Sequence, residues 1–200
     1  MGNTLVLLRN SERSTFRRCR QKWDWSYGRG LEPKQSGKAL TFGSMVHDAL
    51  AQWYIPGKVR GRNPAEAFLE LYDTEADLHG GTGFDQYDDE DNKVDARELG
   101  WAMLTGYLEE YGEDSQYEVL CPEMTFAIDV HDANGDYLCT LVGTADGPVR
   151  NLRTGRIEIL EHKTAKRLEQ YAVMSGYGEQ GMTYWWALTM WLRHTGDLGP

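Results

Sequence analysis

Two acidic residues and a lysine lie close to one predicted hairpin in the second half of this 200-residue chain. Asp146 ends one predicted strand, and the next strand finishes with Glu161, His162 and Lys163. Because side chains alternate along a strand, Glu161 and Lys163 share one face and His162 points to the other. Carboxylate oxygens suit Mg²⁺, and a neighbouring lysine would orient an attacking water or offset charge on a phosphate. The stretch indicates metal-dependent phosphate chemistry, although a solvent-facing, salt-bridged hairpin accounts for it equally well.

The elements that would position these residues change type along the chain. Helical periodicity dominates residues 1–115, and strands are predicted at Tyr117–Ile128, Tyr137–Asp146 and Arg156–Lys163. Asn- and Gly-containing turns at 132–136 and 151–155 join the strands. A final helix over 179–193 is rich in Trp, Tyr and Met. The pattern predicts helices followed by a sheet and one more helix.

Three helices carry polar residues beside apolar stripes. In the first, which Ser11 is predicted to cap, the apolar stripe leaves a basic face that includes Arg13, Arg17 and Arg20. This face is either simply solvated or available to phosphates. His47 borders the apolar face of the second helix, where a histidine is more often structural than a metal ligand. Gln180 and Tyr184, four residues apart, share a face of the last helix. The polar residues of these three helices do not by themselves identify a site.

Charge is unevenly distributed over a chain whose formal net charge is −10. Residues 66–118 hold 17 of the 31 acidic residues and two basic ones, whereas residues 1–38 hold nine basic and three acidic ones. The basic end would suit a polyanion, and the acidic segment, including the predicted loop at 88–91, is either a solvated insertion or a protein-binding surface. We find no apolar run long enough to span a bilayer and no signal peptide, and therefore expect no membrane partner.

Five features in order resemble the PD-(D/E)xK nuclease superfamily, specifically its RecB-like and Cas4-like exonuclease branch. They are the N-terminal stretch 13–23 with Phe16, Cys19 and Trp23, similar to the family's Ser-x-x-x-Phe-x-x-Cys-x-x-x-Trp helix, the Phe42–His47 stretch, Asp146, the Glu161-x-Lys163 pair and the Gln180-x-x-x-Tyr184 pair. The resemblance spans nearly the whole chain. It implies an α/β fold of the restriction-endonuclease-like type, with a central mixed β-sheet flanked by helices. It also implies a single nuclease domain over 1–200, in which 1–115 is the helical part and 116–200 the catalytic sheet and following helix.

The resemblance assigns roles to residues of this chain. The metal ligands would be His47, Asp146, Glu161 and the main-chain carbonyl of His162. Lys163 would position or activate water. Gln180 and Tyr184 would contact DNA or orient the lysine, and the basic face with Arg13, Arg17 and Arg20 would bind phosphates. Glu123 is a weaker candidate for the metal.

The family implies a Mg²⁺- or Mn²⁺-dependent deoxyribonuclease that acts on single-stranded DNA or DNA ends, in repair, recombination or phage or CRISPR processing. Some relatives hold an iron–sulfur cluster, but only Cys19 matches their cysteines, and Cys121 and Cys139 fall on predicted strands, so we expect no cluster. Three cysteines without a CxxC pair fit a reducing cytosol, and the resemblance implies the cytoplasm of a bacterial or phage-infected cell. Partners would be a second copy or a separate helicase or recombination protein. The rival hypotheses are a non-catalytic DNA-binding or assembly subunit, and an interaction module that uses residues 66–118.

Overall fold

A computed structural model describes residues 5–32, 38–78, 87–89, 92–165 and 178–195. The helices are α1 (Asn10–Arg18), α2 (Arg20–Trp23), α3 (Lys38–Trp53), α4 (Pro64–Leu78), α5 (Ala96–Tyr111) and α6 (Glu179–Thr195), with a π-helical turn at Asp24–Gly28. The strands are β1 (Leu7–Leu8), β2 (Tyr87–Asp89), β3 (Asn92–Val94), β4 (Tyr117–Val119), β5 (Met124–His131), β6 (Tyr137–Ala145), β7 (Gly147–Asn151) and β8 (Ile157–Leu160). The predicted α/β class is confirmed. None of the described helices is both long and apolar enough to cross a bilayer.

The chain divides into two compact units. Unit 1 comprises 1–34, 124–145 and 165–200, and unit 2 comprises 35–123 and 146–164. In unit 1, β6 lies between β1, which is parallel to it, and β5, which is antiparallel. In unit 2, β7 lies between β4 and β8, and both pairings are antiparallel. The assignment of residues 1–200 to one domain stays a prediction.

The core of unit 2 joins three helices to its sheet. Phe42, Val46 and Leu50 of α3 pack with Phe68 of α4, and further members of the same cluster are Ala49, Tyr72, Leu104, Val119 and Val149. Gly100 of α5 is required for this packing, since a Cβ atom there would lie 2.1 Å from the Phe68 ring. The apolar stripes of the helices therefore supply the rigid support on which the polar residues of unit 2 are mounted.

One predicted strand is divided in two. The prediction of a continuous strand at Tyr117–Ile128 is wrong, because β4 pairs with β7 in unit 2 and β5 pairs with β6 in unit 1. The break falls at Pro122 and Glu123. Proline lacks an N–H to donate to a sheet, and Glu123 has a positive φ of 49°, which no strand residue adopts.

The turn at 151–155 forms as predicted, but the strand before it differs: the predicted strand ends at Asp146, whereas the turn joins β8 to a separate strand, β7. Gly147 pairs with Leu160 and Arg150 with Ile157. In the turn, the Gly155 N–H donates to the Asn151 carbonyl at 2.7 Å, and Gly155 takes the left-handed conformation at a φ of 71°. The second strand is shorter than predicted, since β8 ends at Leu160.

Two smaller predictions are also corrected. The first helix begins at Asn10 and no side chain caps it, so Ser11 is not its cap. The predicted acidic loop at 88–91 is flanked by an antiparallel pair, β2 and β3, in which Asp89 is opposite Asn92. The middle of that loop, residues 90 and 91, lies outside the described residues.

Candidate metal centre

Three potential metal ligands converge in unit 2. His47, Glu123 and Asp146 each offer one ligand atom, and these atoms all lie within 4.8 Å of one another. One imidazole and two carboxylates form a donor set that suits Mn²⁺ and, through the carboxylates, Mg²⁺. The residues present therefore fit a divalent cation. Two of the three, His47 and Asp146, are among the predicted ligands, and Glu123 is the weaker candidate of the sequence analysis.

The backbone brings these residues together from separate elements. His47 lies on α3, whose neighbouring Val46 and Leu50 are buried in the core, so the half-buried imidazole has little freedom to move away. Asp146 occupies the bend between β6 and β7, and its carbonyl accepts the Glu123 N–H at 2.8 Å. This main-chain hydrogen bond fixes the spacing of the two acidic residues before any cation is bound.

Glu123 has the features of a residue held for function. It and Asp114 are the non-glycine residues with positive φ among the described ones. A glutamate in this conformation costs about 1 kcal/mol or more, and such strain concentrates at functional sites. Burial, followed by repulsion from Asp146, raises the pKa of the Glu123 carboxyl. A bound cation would relieve that repulsion.

Asp146 is the most connected residue of the group. Its Oδ1 lies 3.2 Å from Nδ1 of His47, and its Oδ2 accepts the main-chain N–H of His162 at 2.5 Å. Burial acts to raise the pKa of Asp146, but these two hydrogen bonds outweigh it and lower the pKa. The same contact with Asp146 is the main reason that the pKa of His47 is raised. The Asp146 carboxylate is therefore ionised and held in one orientation, and a metal ligand needs both properties.

Glu161 and Lys163 form an ion pair beside this group. Lys163 Nζ lies 2.5 Å from Glu161 Oε1, as expected for residues on one face, although both follow the end of β8. Burial raises the pKa of Glu161, Lys163 acts to lower it, and Asp146 acts to raise it. The Lys163 charge also opposes protonation of His47. The pair is thus electrostatically coupled to the site, but Glu161 is outside the group of three converging ligands.

His162 lines the same small pocket as the candidate ligands. The pocket volume is about 10 Å³, enough for roughly one water-sized group, and His47, Glu123, Asp146 and His162 are among its walls. Burial lowers the pKa of His162, so its imidazole is neutral at neutral pH. Whether its carbonyl binds a metal stays a prediction.

The remaining predicted site residues lie in unit 1. Gln180 donates a hydrogen bond to the Tyr184 hydroxyl at 2.8 Å, so the two do share a face of α6. Arg13 donates to Asn10 and, at 3.5 Å, to Thr183, which ties α1 to α6. Arg17 and Arg20 are exposed, and the Arg20 guanidinium lies over the Phe16 ring. The roles of all five predicted residues stay predictions.

Sequence analysis missed three polar residues behind the centre. Tyr54, Tyr107 and Asp114 are hydrogen-bonded to one another and reach His162. Tyr54 follows α3, and Tyr107 belongs to the apolar stripe of α5. Helical periodicity therefore predicts Tyr107 only as a core residue. The available signal was the tyrosine hydroxyl, which needs a polar partner when it is buried.

Comparison with known proteins gives one result that bears on function. The family model of the PD-(D/E)XK nuclease superfamily matches residues 10–197. Neither the curated proteins nor the solved structures include a significant match. The family match covers nearly the whole chain and includes every candidate site residue. The chain therefore belongs to the PD-(D/E)XK nuclease superfamily, whose members suggest a metal-dependent nuclease with DNA as its substrate.

Proposed function

We propose that this protein is a Mg²⁺- or Mn²⁺-dependent DNA exonuclease of the RecB-like and Cas4-like type. The observation that carries the proposal is the convergence of His47, Glu123 and Asp146 beside the Glu161–Lys163 pair. These are the ligand types and the lysine that phosphodiester hydrolysis requires. The Phe42–His47 stretch and the Gln180–Tyr184 pair support the RecB-like branch.

Each residue has a distinct task in the proposed reaction. His47, Glu123 and Asp146 would hold the cation, together with Glu161 and the carbonyl of His162. When bound, the cation would lower the pKa of water and neutralise charge on the scissile phosphate. Lys163, held by Glu161, would orient the attacking water and offset the negative charge that develops in the transition state.

Unit 1 offers the features that a DNA-binding surface needs. Arg17 and Arg20 are exposed on and beside α1, and Trp185 and Trp186 of α6 are exposed to 54% and 40%. Arginines bind phosphates irrespective of sequence, and exposed aromatic rings stack on unpaired bases. These residues support single strands and frayed ends as the substrate, with Gln180 and Tyr184 as further DNA contacts.

The proposed setting is DNA repair, recombination or phage or CRISPR processing in the cytoplasm. The cysteines Cys19, Cys121 and Cys139 are all free thiols, which agrees with a reducing compartment. A helicase, recombination protein or second copy would act as partner.

The test is cleavage of end-labelled single- and double-stranded DNA by wild type and Lys163→Ala, with Mg²⁺, Mn²⁺ or chelator. We expect shortening from one end that needs the metal and falls by about 10²–10³-fold in Lys163→Ala, while DNA affinity is retained. The matched control is Lys58→Ala, an exposed lysine of unit 2, which should cleave like wild type. Internal cuts would contradict the exonuclease assignment. DNA binding without cleavage under any metal would favour a non-catalytic DNA-binding subunit.

A further inference from the structure

A chain of hydrogen bonds runs from the buried interior of unit 2 to the candidate metal centre. The Tyr54 hydroxyl donates to Asp114 Oδ2 at 2.5 Å, and the Tyr54 and Tyr107 hydroxyls are 2.5 Å apart. The Tyr107 hydroxyl lies 3.3 Å from Nε2 of His162. The His162 N–H then donates to Asp146. Three side chains, those of Tyr54, Tyr107 and His162, and the main-chain N–H of His162 thus link the buried Asp114 carboxylate to a candidate metal ligand.

The buried end of this chain is anchored. Asp114 is 8% exposed and has a φ of 46°, a left-handed conformation that aspartate tolerates better than most residues. The Arg60 side chain donates to the carbonyls of Asp114 and Tyr117 at 2.8 and 3.0 Å, and its guanidinium lies over the Tyr54 ring. The acceptor that begins the chain is therefore fixed in place.

The number of protons sets the direction of the chain. The Tyr54 hydroxyl donates to Asp114 Oδ2, so its single proton points to Asp114. The Tyr107 proton must then point to the Tyr54 oxygen, because otherwise two lone pairs would face each other at 2.5 Å. The Tyr107 oxygen therefore has only a lone pair to offer to His162. His162 must supply the proton of the last link, from Nε2.

We propose that Asp114, Tyr54 and Tyr107 are positioning residues that hold His162 as its Nε2–H tautomer and thereby hold Asp146 in place for the cation. The inference rests on the proposed metal-dependent function. The Tyr54 ring, stacked on the His162 imidazole with centroids 5.5 Å apart, limits rotation of the imidazole. A His162 fixed at both its ring and its main-chain N–H keeps Asp146 Oδ2 occupied and turns Oδ1 toward His47.

Burial gives the chain its rigidity. It raises the pKa of Tyr107 to about 12 and the pKa of Tyr54 further, so both hydroxyls keep their protons over the whole working range. Hydroxyls that keep their protons in a chain with one allowed direction do not rearrange when substrate or cation arrives. Partners behind metal ligands typically contribute about 10–100-fold to metal affinity.

The test replaces one hydroxyl and leaves the ring. In Tyr107→Phe, Nε2–H of His162 loses its acceptor, so we expect the Nδ1–H tautomer, in which the proton lies on the nitrogen 3.7 Å from Asp146 Oδ2, to become populated. Long-range ¹H–¹⁵N spectra of the metal-free protein report the tautomer, with the signal assigned through His162→Asn. Mn²⁺ affinity, measured by calorimetry, should fall about 10-fold or more.

Tyr111→Phe is the matched control. Tyr111 lies one turn further on α5, its ring packs on that of Tyr107 at 4.8 Å, and it is 56% exposed. It should change neither the tautomer nor the Mn²⁺ affinity. Tyr54→Phe, which interrupts the chain one link earlier, should reproduce the effect of Tyr107→Phe and serves if that variant fails to fold.

The proposal is overturned if wild-type His162 is not the Nε2–H tautomer, or if Tyr107→Phe leaves the tautomer or the Mn²⁺ affinity unchanged. It is also overturned if Tyr111→Phe has the same effects. Because both readouts are independent of DNA cleavage, an inactive wild-type protein would count against the nuclease function and not against this chain of residues.

Discussion

The two compact units differ in charge and in what they expose. Unit 2 contains ten basic and 22 acidic residues, a net charge of −12, whereas unit 1 contains 11 basic and nine acidic ones, a net charge of +2. Among the residues that the structure describes, 12 of the 19 large hydrophobic side chains that are exposed belong to unit 1. The candidate metal ligands all lie in the acidic unit, and the predicted DNA-binding arginines lie in the other.

Under the proposed function, the two units have different tasks. A strongly acidic surface attracts divalent cations and repels a polyanion, so unit 2 is suited to concentrate metal but not to hold DNA by itself. Unit 1 supplies cationic and aromatic side chains that DNA would need. The lesson is that net charge of a whole chain conceals two regions with opposite requirements.

Removing a ligand from unit 2 should produce the largest effect. In Asp146→Asn, we expect Mn²⁺ affinity to fall by more than about 100-fold and cleavage by about 10³-fold, because a charged, oriented ligand is lost. DNA affinity in chelator should stay within about twofold if unit 1 holds the DNA. Calorimetry and fluorescence anisotropy measure the two.

Asp77→Asn, the same change at an exposed aspartate of α4, is the control and should bind Mn²⁺ like wild type. Loss of DNA affinity in Asp146→Asn with an intact fold would break the proposed division between the units.

The converse change in unit 1 should give an intermediate effect. Trp185→Ala removes an exposed ring of α6, and we expect single-stranded DNA affinity to fall by about 1–3 kcal/mol with little effect on duplex DNA or on Mn²⁺. Anisotropy titrations with both DNA forms test this. Trp101→Ala, which removes a comparably exposed ring of α5 in the acidic unit, should leave both DNA affinities unchanged; equal losses in the two variants would refute a surface confined to unit 1.

The smallest effect is expected at Glu123 of unit 2, where one substitution should increase stability and weaken metal binding. Glu123→Gly should raise the free energy of unfolding by about 0.5–1 kcal/mol, because glycine adopts a φ of 49° without strain, while weakening Mn²⁺ binding. The raised pKa of the Glu123 carboxyl acts in the same direction, since its ionised form destabilises the metal-free protein at neutral pH.

Denaturant unfolding in chelator measures the change for Glu123→Gly. Glu123→Gln loses the charge but keeps the backbone strain, so the difference between the two variants isolates the strain. Glu109→Gly, within α5, should instead lose about 1 kcal/mol. A destabilised Glu123→Gly would show that the backbone at this position is not strained.

Local sequence patterns anticipated some of these features and missed others for physical reasons. Alternation along a strand predicted that Glu161 and Lys163 would meet, and turn chemistry predicted the hairpin before them. Grouping of Glu123 with His47 depends on a backbone break at Pro122 and on contacts between residues 76 positions apart. No periodicity records such contacts.

The hydrogen-bonded chain behind His162 illustrates the same limit. Tyr54 and Asp114 are 60 residues apart and meet only because the apolar stripes of the helices pack as they do. From the sequence, a tyrosine on an apolar stripe is one more core residue. Its hydroxyl acquires a function only when packing supplies the partner.

The main-chain hydrogen bond between Glu123 and Asp146 also has a consequence for how the protein can vary. Residues 124–145 leave from one candidate ligand and return at the other, and Met124 pairs with Ala145 in the first rung of that hairpin. The register of this strand pairing therefore affects the separation of the two candidate ligands, because a shift of one residue at its base would change where the chain leaves Glu123 and returns to Asp146. The far end of the hairpin, the Asp132–Asp136 turn, is 14 residues or fewer from either ligand yet bears none of that constraint. The length and sequence of this turn can therefore change, provided that the strand pairs nearest the site keep their register.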